Sequence, residues 1–148
     1  MSLLRGKTAL IFGLANERSI AWGITKAFHE HGAKIGLSYA GEVLERRVRP
    51  LAESIGCTFV ESCDVSQDSE IQAIAEKAAQ EFGQVDILVH SIGFANRDEL
   101  SGPYYNTSRA GFHLAMDISV YSFTALAKAF QPLFRPGGAL LTLTYYGS

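Results

Sequence analysis

The sequence predicts an α/β fold: a doubly wound parallel sheet in the order 3-2-1-4-5 with helices on both faces. Three observations predict it. Short apolar runs alternate with longer stretches whose apolar residues recur at helical spacing. The short runs are apolar throughout, as in Thr8-Ala9-Leu10-Ile11-Phe12, so both faces of each strand are expected to be buried. Glycines stand where the helical stretches end. Right-handed crossovers between parallel strands leave few other topologies.

Taken in order, the first strand covers Thr8–Phe12 and is closed by Gly13. The first helix follows over residues 20–31, with Gly32 at its end. Lys34–Tyr39 is the second strand, and residues 42–55 form a helix that stops at Gly56. A short third strand at residues 58–60 leads to a helix over Asp68–Phe82, with Ser66 and Asp68 as N-cap candidates and Gly83 behind it. Val85–His90 is the fourth strand. The last helix is expected over residues 110–134, capped by Gly137-Gly138, before a fifth strand at residues 139–144. That helix places Phe112, Met116, Val120, Tyr121, Phe123 and Phe130 almost all round its axis. It is therefore expected to be buried on several sides, by the sheet and by either a further helix or another subunit.

Composition narrows the function. At 148 residues, 1–148 reads as one domain with 47% hydrophobic and 19% charged residues, the balance of a globular protein. A net charge of −2 offers no broad basic surface, so neither nucleic acid nor an anionic membrane is an expected partner. No apolar stretch approaches the roughly 18 residues of a membrane span, and no signal-peptide core precedes the first strand; the cytoplasm is the expected location. Cys57 and Cys63 are too far apart along an extended strand to bridge and read as small core residues. The histidines form no metal-ligand pattern: His29 and His31 point different ways on one helix, and His90 and His113 lie on other elements. No metal is expected.

The ligand-binding signals all fall at the carboxyl ends of the strands, the edge where open α/β sheets bind ligands. Gly13 opens the segment GLANERSIAWG, which lacks the second and third glycines of the common G-x-G-x-x-G turn. The helix beginning near Ser19-Ile20 aims its free N–H groups and positive dipole end at that turn, which suits a pyrophosphate. Ser19 can add a hydroxyl donor to that ligand, or can serve as a plain N-cap. The second strand ends in Tyr39-Ala40-Gly41-Glu42 with no Lys or Arg at its tip, which favours NADH over NADPH. Arg46, Arg47 and Arg49 read as solvated charges on the next helix. Asp64 can accept from an adenine amino group while Val65 packs on the ring; equally, Asp64 can be a turn residue. In His90-Ser91-Ile92-Gly93-Phe94-Ala95, Gly93 permits close approach to the backbone.

Together GLANERSIAWG, CDV, HSIGFA, DISVYSF and LLTLTYYG resemble the bacterial NADH-dependent enoyl-acyl-carrier-protein reductases of fatty acid synthesis, in the short-chain dehydrogenase/reductase superfamily. The resemblance runs from Gly6 to Ser148, and Ser91-Ile92-Gly93 in place of a more usual Asn-Ala-Gly is its most specific part. It implies a Rossmann-like fold in which Gly13, Ser19 and Ile20 bind the pyrophosphate side of NADH. Asp64 and Val65 would hold adenine, and Ser91, Ile92 and Gly93 would line adenosine and ribose. Ala95 would contact the acyl substrate. Tyr145 matches the first of two tyrosines near the substrate thioester, where its hydroxyl would stabilise the enolate formed by hydride transfer to the β-carbon. The implied partners are an enoyl thioester on acyl carrier protein and copies of the chain itself, in a homo-tetramer.

Two departures stand out. Ala40 occupies a position where many of these reductases carry glutamine. The second tyrosine and the lysine that follows it would lie beyond Ser148, so the chain is expected to be the first part of a longer enzyme, lacking the C-terminal part of the fold. Completing it would take roughly 60 residues at about 30 per β/α unit. Two other functions fit the motifs less fully: a short-chain reductase acting on a carbonyl, and a nucleotide-binding fragment without catalysis.

Overall fold

All five residues of Thr8–Phe12 (β1) are buried, and alternate side chains enter different cores. Leu10 and Phe12 join Leu88, Ile71, Ile74, Leu126 and Phe130 on one face, while Ala9 and Ile11 join Leu37, Val89, Trp22, Val48 and Ala52 on the other. This is the packing that an apolar strand without alternation requires. A computed structural model describes residues 2–146. Its sheet has five parallel strands in the order β3-β2-β1-β4-β5, as expected, with β2 at Lys34–Tyr39, β3 at Phe59–Ser62, β4 at Val85–His90 and β5 at Phe134–Thr142.

Helices α1 (Ile20–Glu30) and α2 (Glu42–Ser54) cover one face of the sheet. Helices α3 (Asp68–Phe82) and α5 (Ser122–Phe130) cover the other. Phe130 is fully buried and meets Phe12 edge to face, with centroids 5.7 Å apart. Burying such a ring contributes about 2–3 kcal/mol. At the amino end of the sheet, buried Asp86 accepts from the Thr8 N–H (2.9 Å) and pairs with Lys7 (3.3 Å) and Arg135 (2.6 Å). Burial alone would raise its carboxyl pKa, but these donors overcome it and hold the group below its ordinary value. The node ties β1, β4 and β5 together at the end remote from the ligand edge.

Several boundaries differ from expectation. The third strand runs to Ser62 because β2 pairs with it through Tyr39 and because polar Glu61, on this edge strand, is satisfied by Lys77 of α3. Neither Ser66 nor Asp68 caps α3: Gln67 holds the cap position, without a side-chain bond, and Asp68 is the first helical residue. The helix expected over residues 110–134 is instead α4 (Arg109–Met116), a widened π turn (Asp117–Tyr121), α5, and a short 3-10 turn at Gln131–Leu133 that contains Pro132. Gly137-Gly138 does not cap that helix. The pair lies inside β5 at a register shift opposite Val85–Ile87, and a Cβ on Gly138 would overlap the Phe134 ring. The strand therefore starts earlier than its apolar run, and it stops at Thr142.

Phe112, Met116, Val120 and Tyr121 stand exposed, as do Leu140 and Leu141 on β5 and Leu143 just past it. The expected burial of the last helix on several sides is thus met on the sheet side only, by Leu126 and Phe130. Cys57 and Cys63 are free thiols, half-buried and buried respectively. Among the described residues, no helix is long and apolar enough to cross a membrane.

Candidate functional site

At the carboxyl ends of the strands the chain turns sharply at Gly13, whose φ is +93°. The Gly13 and Leu14 N–H groups donate to the Ser38 carbonyl (3.1 and 3.2 Å), and the Ser91 N–H donates to the Phe12 carbonyl (2.9 Å). These bonds draw the ends of β1, β2 and β4 together. A Cβ at Gly13 would overlap the Ser91 carbonyl oxygen, so only glycine lets these two loops close on one another.

The loop into α1 is organised by its own side chains. Asn16 Oδ1 accepts from the Arg18 N–H (2.8 Å). The Ser19 hydroxyl donates to the Asn16 carbonyl (2.7 Å) and accepts from the Trp22 N–H (3.2 Å), which makes it the N-cap. Its single proton is thereby used within the loop. The first turn of α1 carries no acidic residue, whereas α2 has Glu42 and Glu45 there and α3 has Asp68 and Glu70. The positive end of α1 is therefore not neutralised by its own carboxylates.

A cleft of about 550 Å³ opens beside this turn. Its walls include Gly13 and Ala15 after β1, Tyr39, Ala40 and Gly41 after β2, Cys63, Asp64 and Val65 after β3, and Ser91, Ile92, Gly93 and Phe94 after β4. Ile118, from the π turn, closes the far side. This size and a mostly apolar lining with few polar groups fit an organic ligand. Asp64 Oδ1 accepts from the Ser66 N–H (2.9 Å) and hydroxyl (2.7 Å), a turn role; neither bond uses Oδ2. The Cys63 thiol is pushed up to about 12, first by burial and then by Glu70 and Asp64.

Behind the cleft wall, buried His90 and Ser122 form a polar cluster with the exposed Thr142 of β5. His90 Nε2 is 2.7 Å from the Ser122 hydroxyl, and Nδ1 is 2.9 Å from the Thr142 hydroxyl. Ser122 spends its proton on the Ile118 carbonyl (2.6 Å), so it accepts from His90, and the neutral ring carries its proton on Nε2. Burial lowers the imidazole pKa from its ordinary value. Farther along the same segment, the Ser119 hydroxyl accepts from the Phe94 N–H (2.9 Å) and donates to the Phe94 carbonyl (3.1 Å).

Of the residues singled out from sequence, the fold brings Gly13, Asp64, Val65, Ser91, Ile92 and Gly93 into one cleft, together with Ala40. Ser19, Ile20, Ala95 and Tyr145 are not among its lining residues: Ile20 is 66% exposed and Tyr145 92%. Gly147, which ends the LLTLTYYG motif, lies outside the described residues. Sequence reasoning missed Phe94 and Ile118 as cleft walls, and missed Ser119 and Ser122 behind them. Apolar Ile118 carries no signal that separates a cleft wall from core. The two serines, three apart in a largely apolar helix, did offer one.

A parallel sheet in this order, with a ligand-sized cleft at its carboxyl edge beside a helix N-terminus, defines a dinucleotide-binding fold of the Rossmann type. Within that class the chain belongs to the enoyl-(acyl carrier protein) reductase family, whose model matches residues 13–148. It is 47% identical over 146 residues to enoyl-(acyl-carrier-protein) reductase (NADH) 1 of Rhizobium meliloti, covering 99% of this chain and 54% of that protein. It is 49% identical over 149 residues to the reductase (NADH) FabI of Aquifex aeolicus, covering 100% and 55%. The chain thus spans about half the length of the curated relatives it matches. The crystal structure of the Aquifex aeolicus reductase superposes with a TM-score of 0.94 at 49% identity, over 98% of this chain and 64% of that one. The Anaplasma phagocytophilum reductase in complex with NAD gives 0.93 at 43% identity, over 98% and 55%. The Bacillus cereus reductase with NADP+ and indole naphthyridinone gives 0.95 at 48% identity, over 99% and 58%.

Proposed function

We propose that this chain binds NADH in the cleft at the carboxyl edge of its sheet and serves the reduction of a trans-2-enoyl thioester carried on acyl carrier protein. The observation that carries the reading is the convergence of Gly13, Asp64, Val65, Ser91, Ile92 and Gly93 on one cleft in a chain of this family. The residues fit the cofactor. The carboxylate-free N-terminus of α1 would face the pyrophosphate, with Gly13 at the turn and with Ser19 and Ile20 opening the helix. Asp64 Oδ2, outside both bonds to Ser66, would accept from the adenine amino group, and buried Val65 would support the ring. Ser91, Ile92 and Gly93 would line adenosine and ribose. The tip of β2 carries no cation, and Arg49 is held by Glu45 at 2.6 Å, so NADH is preferred over NADPH.

When bound, NADH would supply the hydride from its nicotinamide C4 to the β-carbon of the enoyl thioester. Ala95 would contact the acyl chain, and Tyr145 would donate to the thioester oxygen as negative charge develops there. Tyr145 stands exposed just past the carboxyl end of β5, the edge of the sheet at which the cleft opens. Acyl carrier protein and further copies of the chain, as a homo-tetramer, are the partners of this reading, and the cytoplasm its setting.

The test uses the protein expressed from its own gene, at whatever length that gene encodes. Loss of NADH absorbance with a crotonyl thioester, and none with simple ketones, is expected. Turnover of ketones alone would replace this reading with that of a carbonyl reductase. NADH binding without any turnover would leave a nucleotide-binding chain without catalysis.

A further inference from the structure

The widened turn Asp117–Tyr121 interrupts a helix at the point nearest the cleft, and the serines at its centre and just past its end hold two places on one segment. Ser119 takes both the N–H and the carbonyl of Phe94. Ser122 takes the imidazole of His90, and the other nitrogen of that ring is held from β5 by Thr142. Between these anchors lie Ser91, Ile92 and Gly93, all of them cleft walls. Such turns need an extra residue in the helix and recur at functional sites.

We propose that the π turn is a positioning device for the cleft wall: Ser119 and Ser122 bracket His90–Phe94, and Ser119 is the positioning residue that fixes Phe94 between the dinucleotide-lining residues and Ala95. The inference rests on the reading of the cleft as an NADH site. Its logic is preorganisation. Gly93 has no side chain to pack, and a Cβ built on it would meet nothing within 4 Å, so no side-chain packing of its own restrains the backbone there. Without the clamp the segment samples more conformations before binding, and ordering it is charged against affinity. Ser119 touches no reacting atom in this account; it acts through the Phe94 backbone. His90 and Ser122 are buried and structural as well, whereas Ser119 is half-buried at the cleft rim. It can therefore be changed without opening a core cavity.

The experiment compares Ser119→Ala and Ser119→Thr with the native protein, all expressed from the native gene. NADH affinity is followed by fluorescence titration, thermal midpoint by circular dichroism, and turnover with crotonyl thioester. Ser119→Ala is expected to raise the NADH dissociation constant about 5- to 10-fold. Its midpoint should stay within about 2 °C of the native value. Ser119→Thr, which keeps the hydroxyl, should restore binding to within about twofold. Native-like binding by Ser119→Ala overturns the proposal. So does a fall in midpoint that accounts for the lost affinity, since Ser119 would then be a stabilising residue only. Binding that changes as expected while the native protein fails to turn over the thioester removes the proposed reaction and leaves the positioning role standing. No NADH binding by the native protein removes both.

Discussion

Replacing Gly13 by alanine tests the geometry of the cleft most directly. The added Cβ would overlap the Ser91 carbonyl oxygen and lie 2.6 Å from its carbon and 2.9 Å from Ile92 Cγ1. Two of these three atoms are backbone, so no side-chain rotation relieves the clash. The residue also sits at φ +93°, where an L side chain costs about 1–2 kcal/mol. Overpacking a closely apposed site adds about 1–3 kcal/mol. The variant should therefore lose about 2–5 kcal/mol of stability, read as a lower urea midpoint at unchanged slope. Relief requires the ends of β1 and β4 to separate, so NADH affinity should fall at least about tenfold in protein that remains folded. Gly93→Ala is the control for stability: its Cβ would meet nothing within 4 Å and its φ is not positive. That variant should stay within about 0.5 kcal/mol of native and should still lose affinity if a ligand crosses its backbone. Equal stability of the Gly13→Ala, Gly93→Ala and native proteins would refute the close apposition of Gly13 and Ser91, and with it the shape given to the cleft.

Other expectations rest on individual buried groups. Burial keeps His90 neutral with its pKa below the ordinary value, so the unfolded chain takes up a proton first. Its contribution is intact above about pH 6.5 and is lost as pH falls through the folded value; His90→Asn should flatten that part of the urea-midpoint profile. Cys63 lines the cleft with its thiol pushed up to about 12, so iodoacetamide at about pH 8 should label it only after denaturation, and ready labelling of native protein would contradict its burial. Asp86→Asn should cost about 1–3 kcal/mol at neutral pH, a range kept low because Lys7 and Arg135 are partly solvated. The Asp86 carboxyl sits below its ordinary pKa, so the difference between the two proteins should shrink as pH falls below about 4 and through the folded value.

The strand order and the two-sided burial were legible because a parallel sheet leaves a strong mark: Leu10 and Ala9 are both apolar only if both faces are covered. Gly32, Gly56 and Gly83 marked helix ends for an equally local reason, since each holds a positive φ there. Gly137 has a positive φ too, but its setting is a strand bulge. The local conformation was readable at that position; the element it serves depends on Phe134 and Val85, which tertiary pairing alone brings together. The π turn was hidden for a related reason. Its residues, Asp-Ile-Ser-Val-Tyr, continue a helical apolar pattern, and the extra residue becomes visible only through what the two serines hold.

For the cleft, the legible part is the set of residues that end strands. In a parallel sheet every strand's carboxyl end faces the same edge, so Gly13, Asp64 and Ser91 had to meet once the order was known. The roles of individual side chains were less legible, because a hydroxyl or carboxylate can satisfy its own loop as readily as a ligand. Ser19 and Asp64 show the two outcomes. Ser19 gives its only proton to Asn16, leaving backbone N–H groups and the helix dipole to serve an anion. Asp64 anchors its turn through one oxygen and keeps the second outside those bonds. A ligand-binding role for Asp64 and a structural one are thus compatible, whereas at Ser19 they compete for a single proton. NADH binding should therefore respond to Asp64→Asn, which keeps Oδ1 for the turn, through lost adenine contact, and to Ser19→Ala through lost helix capping. Only the second loss should lower the thermal midpoint of the NADH-free protein by the few degrees that a cap of about 1 kcal/mol represents.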